Sequence, residues 1–170
     1  MIHLEQENQD NLVKKQQPLN IKVNRIDLRI YSHATEVERK VTETALKLLP
    51  PDVEYTDFNK ETLLMSAGNA LRIFSLKITD KQIIDHVINT LASFLRPEDK
   101  KYLNKTLENR IEYEKTIYIR LNKQYLYLDK AIVEEGSDVI QIRIGIAMIG
   151  PVKDRIQTIR QFLLEKNIIA

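Results

Sequence analysis

The chain has no cysteine and no tryptophan, and holds only four glycines and three histidines in 170 residues. Without cysteine there are no disulfides and no thiolate metal sites. The histidines, His3, His33 and His86, lie far apart, which argues against a zinc centre. With so little glycine there is no phosphate loop and no dinucleotide-binding fingerprint. No apolar run reaches the roughly 18 residues of a membrane span. Residues 1–10 are acidic and polar, unlike a signal peptide. A cytoplasmic protein with no membrane association is expected. Charge of one sign is also lacking, since 26 basic residues face 24 acidic ones for a net charge of +2. The chain is therefore no strongly basic nucleic-acid coat, and any nucleic-acid site must be a local patch. Scarce glycine with abundant isoleucine and lysine suits a thermophilic prokaryote.

What is present is an ordinary globular composition, 43% hydrophobic and 29% charged, long enough for one domain with a sizeable core. Residues 1–20 are polar with few apolar anchors, and we expect a flexible tail. A short docking peptide around Leu12 and Val13 is the functional alternative. Residues 21–170 then read as a single α+β domain. The first strand, over residues 21–33, alternates Ile26, Leu28 and Ile30 with Arg25, Asp27, Arg29 and Tyr31. A helix is expected from Thr35, with Thr35 and Glu38 as a capping box and Pro50-Pro51 as the stop. A short strand is expected over 53–58 and a turn over 62–65. Gly68-Asn69 marks a turn before a strand over 71–78. Thr79 and Gln82 form a second capping-box pattern, ahead of a helix with a wide apolar arc from Ile83 to Leu95. Pro97 fits the first position of a further helix.

Residues 116–148 are the most informative. Ile117, Ile119 and Leu121 point one way in a strand, and Thr116, Tyr118 and Arg120 the other. After a polar insertion, Ile140, Ile142, Ile144, Ile146 and Met148 line one face of a second strand, opposite Gln141, Arg143 and Gly145. One face is apolar enough for a core. The other carries guanidinium, phenol and amide groups with no carboxylate, chemistry that suits phosphates and bases. A last helix over about 152–166 presents Ile156, Ile159, Phe162 and Leu163 inward. Irregular alternation of strands and helices predicts an α+β fold, a largely antiparallel sheet with helices packed on one face.

Three segments resemble one family. They are RIDLRIYSHATEVERKVTETALKLLP at 25–50, AGNALRIFSLKIT at 67–79, and IRLNKQYLYLDKAIV with the later DVIQIRI. In this order they resemble the archaeal RNA-binding proteins described as predicted exosome subunits, with a fold like that of ribosomal protein L-five. On that resemblance Arg120, Lys123 and Gln124 fall on the Arg, Lys and Gln of a signature. Asn122 stands where the signature usually has Asp, which removes any role needing a carboxylate there.

The candidate RNA-binding residues are Arg25, Arg29, Tyr31, Tyr118, Arg120, Lys123, Gln124 and Arg143. Arginine forks match phosphates, and tyrosine offers a face to an unstacked base. A solvated or subunit-covered sheet face, with Asp27 neutralising Arg25 and Arg29, is the rival use of the same residues. Arg96, Lys100, Lys101, Lys105 and Arg110 form a second basic stretch, balanced by Glu98, Asp99 and Glu108. Asp52 with Glu54 is a weak metal pair, and no nucleophile, base and orienter combine. The expected function is therefore a non-enzymatic RNA-binding accessory of RNA processing, degradation or ribosome-related machinery. RNA is the main partner, exosome or ribosome-associated proteins are further ones, and no cofactor or metal is expected. The alternative is an interaction module that makes a homodimer through the open sheet face.

Overall fold

The computed structural model describes residues 20–170. The tail expected over 1–20, with Leu12 and Val13, lies outside the described residues apart from Asn20. The elements are β1 (Ile21–Ser32), α1 (Glu38–Leu46), β2 (Asn59–Leu64), β3 (Ala70–Ile78), α2 (Lys81–Phe94) and α3 (Pro97–Lys105). They are followed by β4 (Ile111–Glu112), β5 (Thr116–Asn122), α4 (Lys123–Tyr127), β6 (Val139–Met148) and α5 (Arg155–Glu165). The strands form one six-stranded sheet in the order β2-β3-β1-β6-β5-β4, and every pairing is antiparallel.

Alternation decides which face is covered. Ile26, Leu28 and Ile30 of β1, Ile117, Ile119 and Leu121 of β5, and Ile140, Ile142 and Ile144 of β6 are at most 1% exposed. They share one core with Val41 and Ala45 of α1, Ile84, Val87 and Leu91 of α2, Leu103 of α3, Leu126 of α4 and Ile159 and Leu163 of α5. The helices thus pack on the isoleucine face, and the opposite face of the sheet is left open. Each fully buried Ile or Leu contributes about 1.5–3 kcal/mol, so this one-sided burial fixes the register. A slip by one residue would send the whole set to solvent.

Two expectations between α1 and β3 are corrected. Residues 53–58 form no strand; a single 3-10 turn, Tyr55–Asp57, lies there, with the Asp57 carboxylate accepting from the Glu54 N–H at 2.8 Å. The strand instead covers Asn59–Leu64, including part of the expected turn. All six of its residues are exposed, so no apolar alternation announced it. It exists by pairing with β3 across a turn in which Gly68 takes φ +82°, a conformation glycine adopts without strain.

The helix starts also differ. Thr35 does not cap α1, which begins after Val37 with no side-chain cap. Glu36 takes the His33 N–H at 3.1 Å instead, and Glu38 pairs with Arg72 at 2.6 Å and Lys60 at 3.1 Å. At α2 the cap is Asp80, whose carboxylate accepts from Gln82 N at 2.9 Å and Ile83 N at 3.1 Å. A carboxylate beside Thr79 is the better match to the positive end of the helix. Pro97 does stand in the first turn of α3. Beyond α5, Ile168 and Ile169 are also buried in the core.

Candidate nucleic-acid interface

The open face can be read row by row from the register. Directly opposed residues on a face lie about 5 Å apart, so cross-strand neighbours act as one surface. One row runs Ser75–Arg29–Gln141–Arg120 across β3, β1, β6 and β5. The next runs Lys77–Asp27–Arg143–Tyr118, and the one beyond it Arg25–Gly145–Thr116. Tyr31 stands two residues along β1 from Arg29, opposite Ile73. The structure therefore brings together Arg25, Arg29, Tyr31, Tyr118, Arg120 and Arg143, as the alternation predicts.

Their charges are not equally free. Arg25 is tied to Asp27 at 2.7 Å and 2.9 Å. Among the described residues, Arg29, Arg120 and Arg143 pair with no carboxylate, and all three are exposed. Arg29 and Arg120 are separated by two strand spacings, about 10 Å. Asp27 thus neutralises one end of the patch and leaves its centre basic.

Tyr118 is more committed than its position in the sequence suggests. The Arg143 guanidinium lies 5.2 Å from its ring centroid, covering one face. Its hydroxyl donates to Glu112 of β4. That hydrogen bond raises the phenol above its ordinary value; burial adds to the rise, and Arg143 opposes it. Carboxylates do reach this rim, contrary to the expectation. Glu112 holds Tyr118, and Glu135 pairs with the buried Arg110.

Lys123 and Gln124 lie elsewhere. Asn122 caps α4, its side chain accepting from Tyr125 N at 3.0 Å, and this turns the chain toward the helix layer. Lys123 is consequently 6% exposed. Its ammonium donates to the Tyr31 carbonyl at 2.8 Å and to Glu36 at 3.0 Å, and meets Asp138 at 2.5 Å. It is not available to a phosphate and is withdrawn from the contact set. It ties the end of β1 and the start of α1 to the loop before β6. Gln124 lines a different hollow, with Val37, Val41 and Tyr127 on the helix side, and is withdrawn from the open face as well.

Two hollows of about 410 Å³ and 470 Å³ adjoin on the open face and share Arg120, Gln141 and Glu135. The first is walled by Tyr31, His33, Leu71 and the Gly136-Ser137 turn. Sequence reasoning weighed His33 as a base-stacking or helix-capping residue without placing it in the contact set, and it missed Leu71. Leu71 falls on the open face by the parity of β3, and that parity was the available signal. In the second basic stretch Arg96 binds Asp99 at 2.6 Å and Arg110 binds Glu135, while Lys100, Lys101 and Lys105 pair with no carboxylate among the described residues; Asp99 also accepts from Val133 N at 3.3 Å. Among the described residues no group of three or more His, Asp or Glu could hold a metal ion. No helix among them is long and apolar enough to cross a membrane.

Comparison with known proteins was decisive at the level of family. A family model described as RNA binding matches residues 25–146, most of the chain. The chain belongs to this RNA-binding family. It is 30% identical over 146 residues to the RNA-binding protein PAB1135 of Pyrococcus abyssi, covering 84% of this chain and 95% of that one. It is 31% identical over 126 residues to the uncharacterized protein MJ0213 of Methanocaldococcus jannaschii, covering 70% of this chain and 81% of that one. Mth689, a DUF54 protein from Methanothermobacter thermautotrophicus, shares the fold with a TM-score of 0.68 at 14% identity, over 85% of this chain and 97% of its own. The matched region runs from Arg25 of β1 to Ile146 of β6, so it takes in β2 to β5, most of β1 and β6, and the three rows of the open face described above.

Proposed function

We propose that this chain binds RNA on the open face of its sheet, as a non-catalytic accessory protein. The observation that carries the reading is the group Arg29, Arg120 and Arg143, which among the described residues have no carboxylate partners and lie on a face that no helix covers. Guanidinium forks bind phosphate oxygens in pairs, which gives backbone recognition without sequence preference. The family and the Pyrococcus abyssi relative support RNA as the ligand. A place in RNA processing or degradation with the exosome, or in ribosome-related machinery of the cytoplasm, rests on the resemblance of the three sequence segments. So does the likeness to ribosomal protein L-five.

The test is a salt titration of single-stranded RNA binding with Arg29→Ala/Arg120→Ala/Arg143→Ala. Each lost phosphate contact should shallow the slope of log K against log salt by about 0.7. A folded triple variant that binds like the parent at the same slope would refute the site. A parent that binds no RNA at low salt, and instead forms a dimer broken by these changes, would establish the interaction-module alternative.

A further inference from the structure

We infer that the hollow walled by Tyr31, His33 and Leu71 receives a single unpaired nucleobase. The inference rests on the RNA-binding reading and adds to it a base site distinct from the arginine contacts. At about 410 Å³ the hollow is near the small end of ligand sites, sized for one nucleoside. Its walls combine the rings of Tyr31 and His33 with the aliphatic side chains of Leu71 and Val139, the surfaces on which unstacked bases settle. Two of its polar groups, Gln141 and Arg120, stand on one strand row, and Glu135 and Ser137 border them from the loop before β6. Gln141 offers an amide donor and acceptor suited to a base edge. Arg120, directly opposite Gln141, belongs to this hollow and to the adjoining one. A guanidinium between two neighbouring hollows is placed to hold the phosphate that links two successive nucleotides.

Tyr31, not Tyr118, is the stacking residue in this arrangement. Arg143 covers one face of the Tyr118 ring, and Glu112 holds its hydroxyl. Tyr31 has no such ring partner among the described residues. Its backbone is anchored instead: the carbonyl accepts from Lys123 at 2.8 Å, and Asp138 stands between Lys123 at 2.5 Å and His33 at 3.8 Å. The buried lysine therefore acts as a positioning residue, steadying two walls of the hollow from behind the sheet.

The experiment uses the full chain and an unstructured oligoribonucleotide. A series of probes carries an abasic ribose at each position in turn, so phosphate charge is constant. Tyr31→Ala should weaken binding of the intact oligomer about 5- to 150-fold, the range of one stacked base, with the salt slope unchanged. Tyr31→Phe should bind like the parent. The abasic change at the occupied position should weaken the parent similarly and add little in the Tyr31→Ala background. If Tyr31→Ala melts below the assay temperature, Gln141→Ala replaces it in the same cycle. Loss of binding in the triple arginine variant with none in Tyr31→Ala or Gln141→Ala would overturn the base site and leave the RNA face standing. Equal abasic losses in parent and variant would also overturn it. A parent that binds no RNA would remove both.

Discussion

Replacing Lys123 by Met keeps the aliphatic stem and removes the ammonium, which isolates the contribution of the buried charge. Removing one partner of a buried ion pair typically costs about 3–5 kcal/mol, because the other charge is stranded. Here the stranded groups are only partly buried: the Glu36 side chain is 28% exposed and that of Asp138 49%. Water can therefore recover much of their solvation, which lowers the cost. The Tyr31 carbonyl also loses a donor, about 1 kcal/mol for a hydrogen bond of this kind. Together these give roughly 2–3 kcal/mol, or a fall in melting temperature of about 4–12 °C at the 2–4 °C per kcal/mol expected for a chain of this size. Thermal and urea melts provide the assay. Lys123→Met/Glu36→Gln/Asp138→Asn should recover at least half of the loss, since no charge is left unpaired. The salt slope for RNA should not change, because Lys123 makes no phosphate contact in this arrangement. An unaltered melting temperature in Lys123→Met, or a slope shallower by about 0.7, would refute the reasoning.

Other expectations follow from single contacts. Tyr118 should titrate above an ordinary tyrosine in an absorbance titration of the phenolate, and Glu112→Gln should bring it down. Because its folded value is raised, its contribution to stability is complete below the unfolded value near 10 and is lost as pH rises through the folded one. Asp80→Ala should cost about 1 kcal/mol in urea melts, the usual worth of an N-cap, and Asp80→Asn much less. Ile142→Ala, at a site with no exposure, should cost about 2–5 kcal/mol and leave the RNA salt slope alone once the variant is folded.

The sheet and its two faces were legible because β1, β5 and β6 are covered on one side only, so burial writes a period of two into their sequence. β2 carried no such record, since an edge strand exposed on both faces has nothing to alternate. The helix caps were misread by one or two residues for a related reason. Thr79 matches the capping pattern, but the neighbouring Asp80 carboxylate takes the Gln82 and Ile83 amides; Thr35 matches it too, yet α1 starts only after Val37 with no side-chain cap. The arginines of the site were legible from parity alone. The fate of Lys123 was not, because its partners Glu36 and Asp138 meet it only through the fold. Nor were the hollows, which need β3 beside β1 to bring Leu71 next to Tyr31.

The two margins of the sheet differ in a way that bears on handling the protein. One ends in β4, two residues long, too short to recruit another strand. The other ends in β2, six residues with an unpaired outer row of amides and carbonyls, leading to Leu63, Leu64 and Met65 at 46%, 83% and 50% exposure. Lys60 and Glu61 supply the only charges there that discourage an incoming strand. Self-association in concentrated stocks is therefore expected to begin at this margin. Leu63 of this margin stands opposite Leu71 of the hollow, so a change made there for solubility also borders the proposed base site.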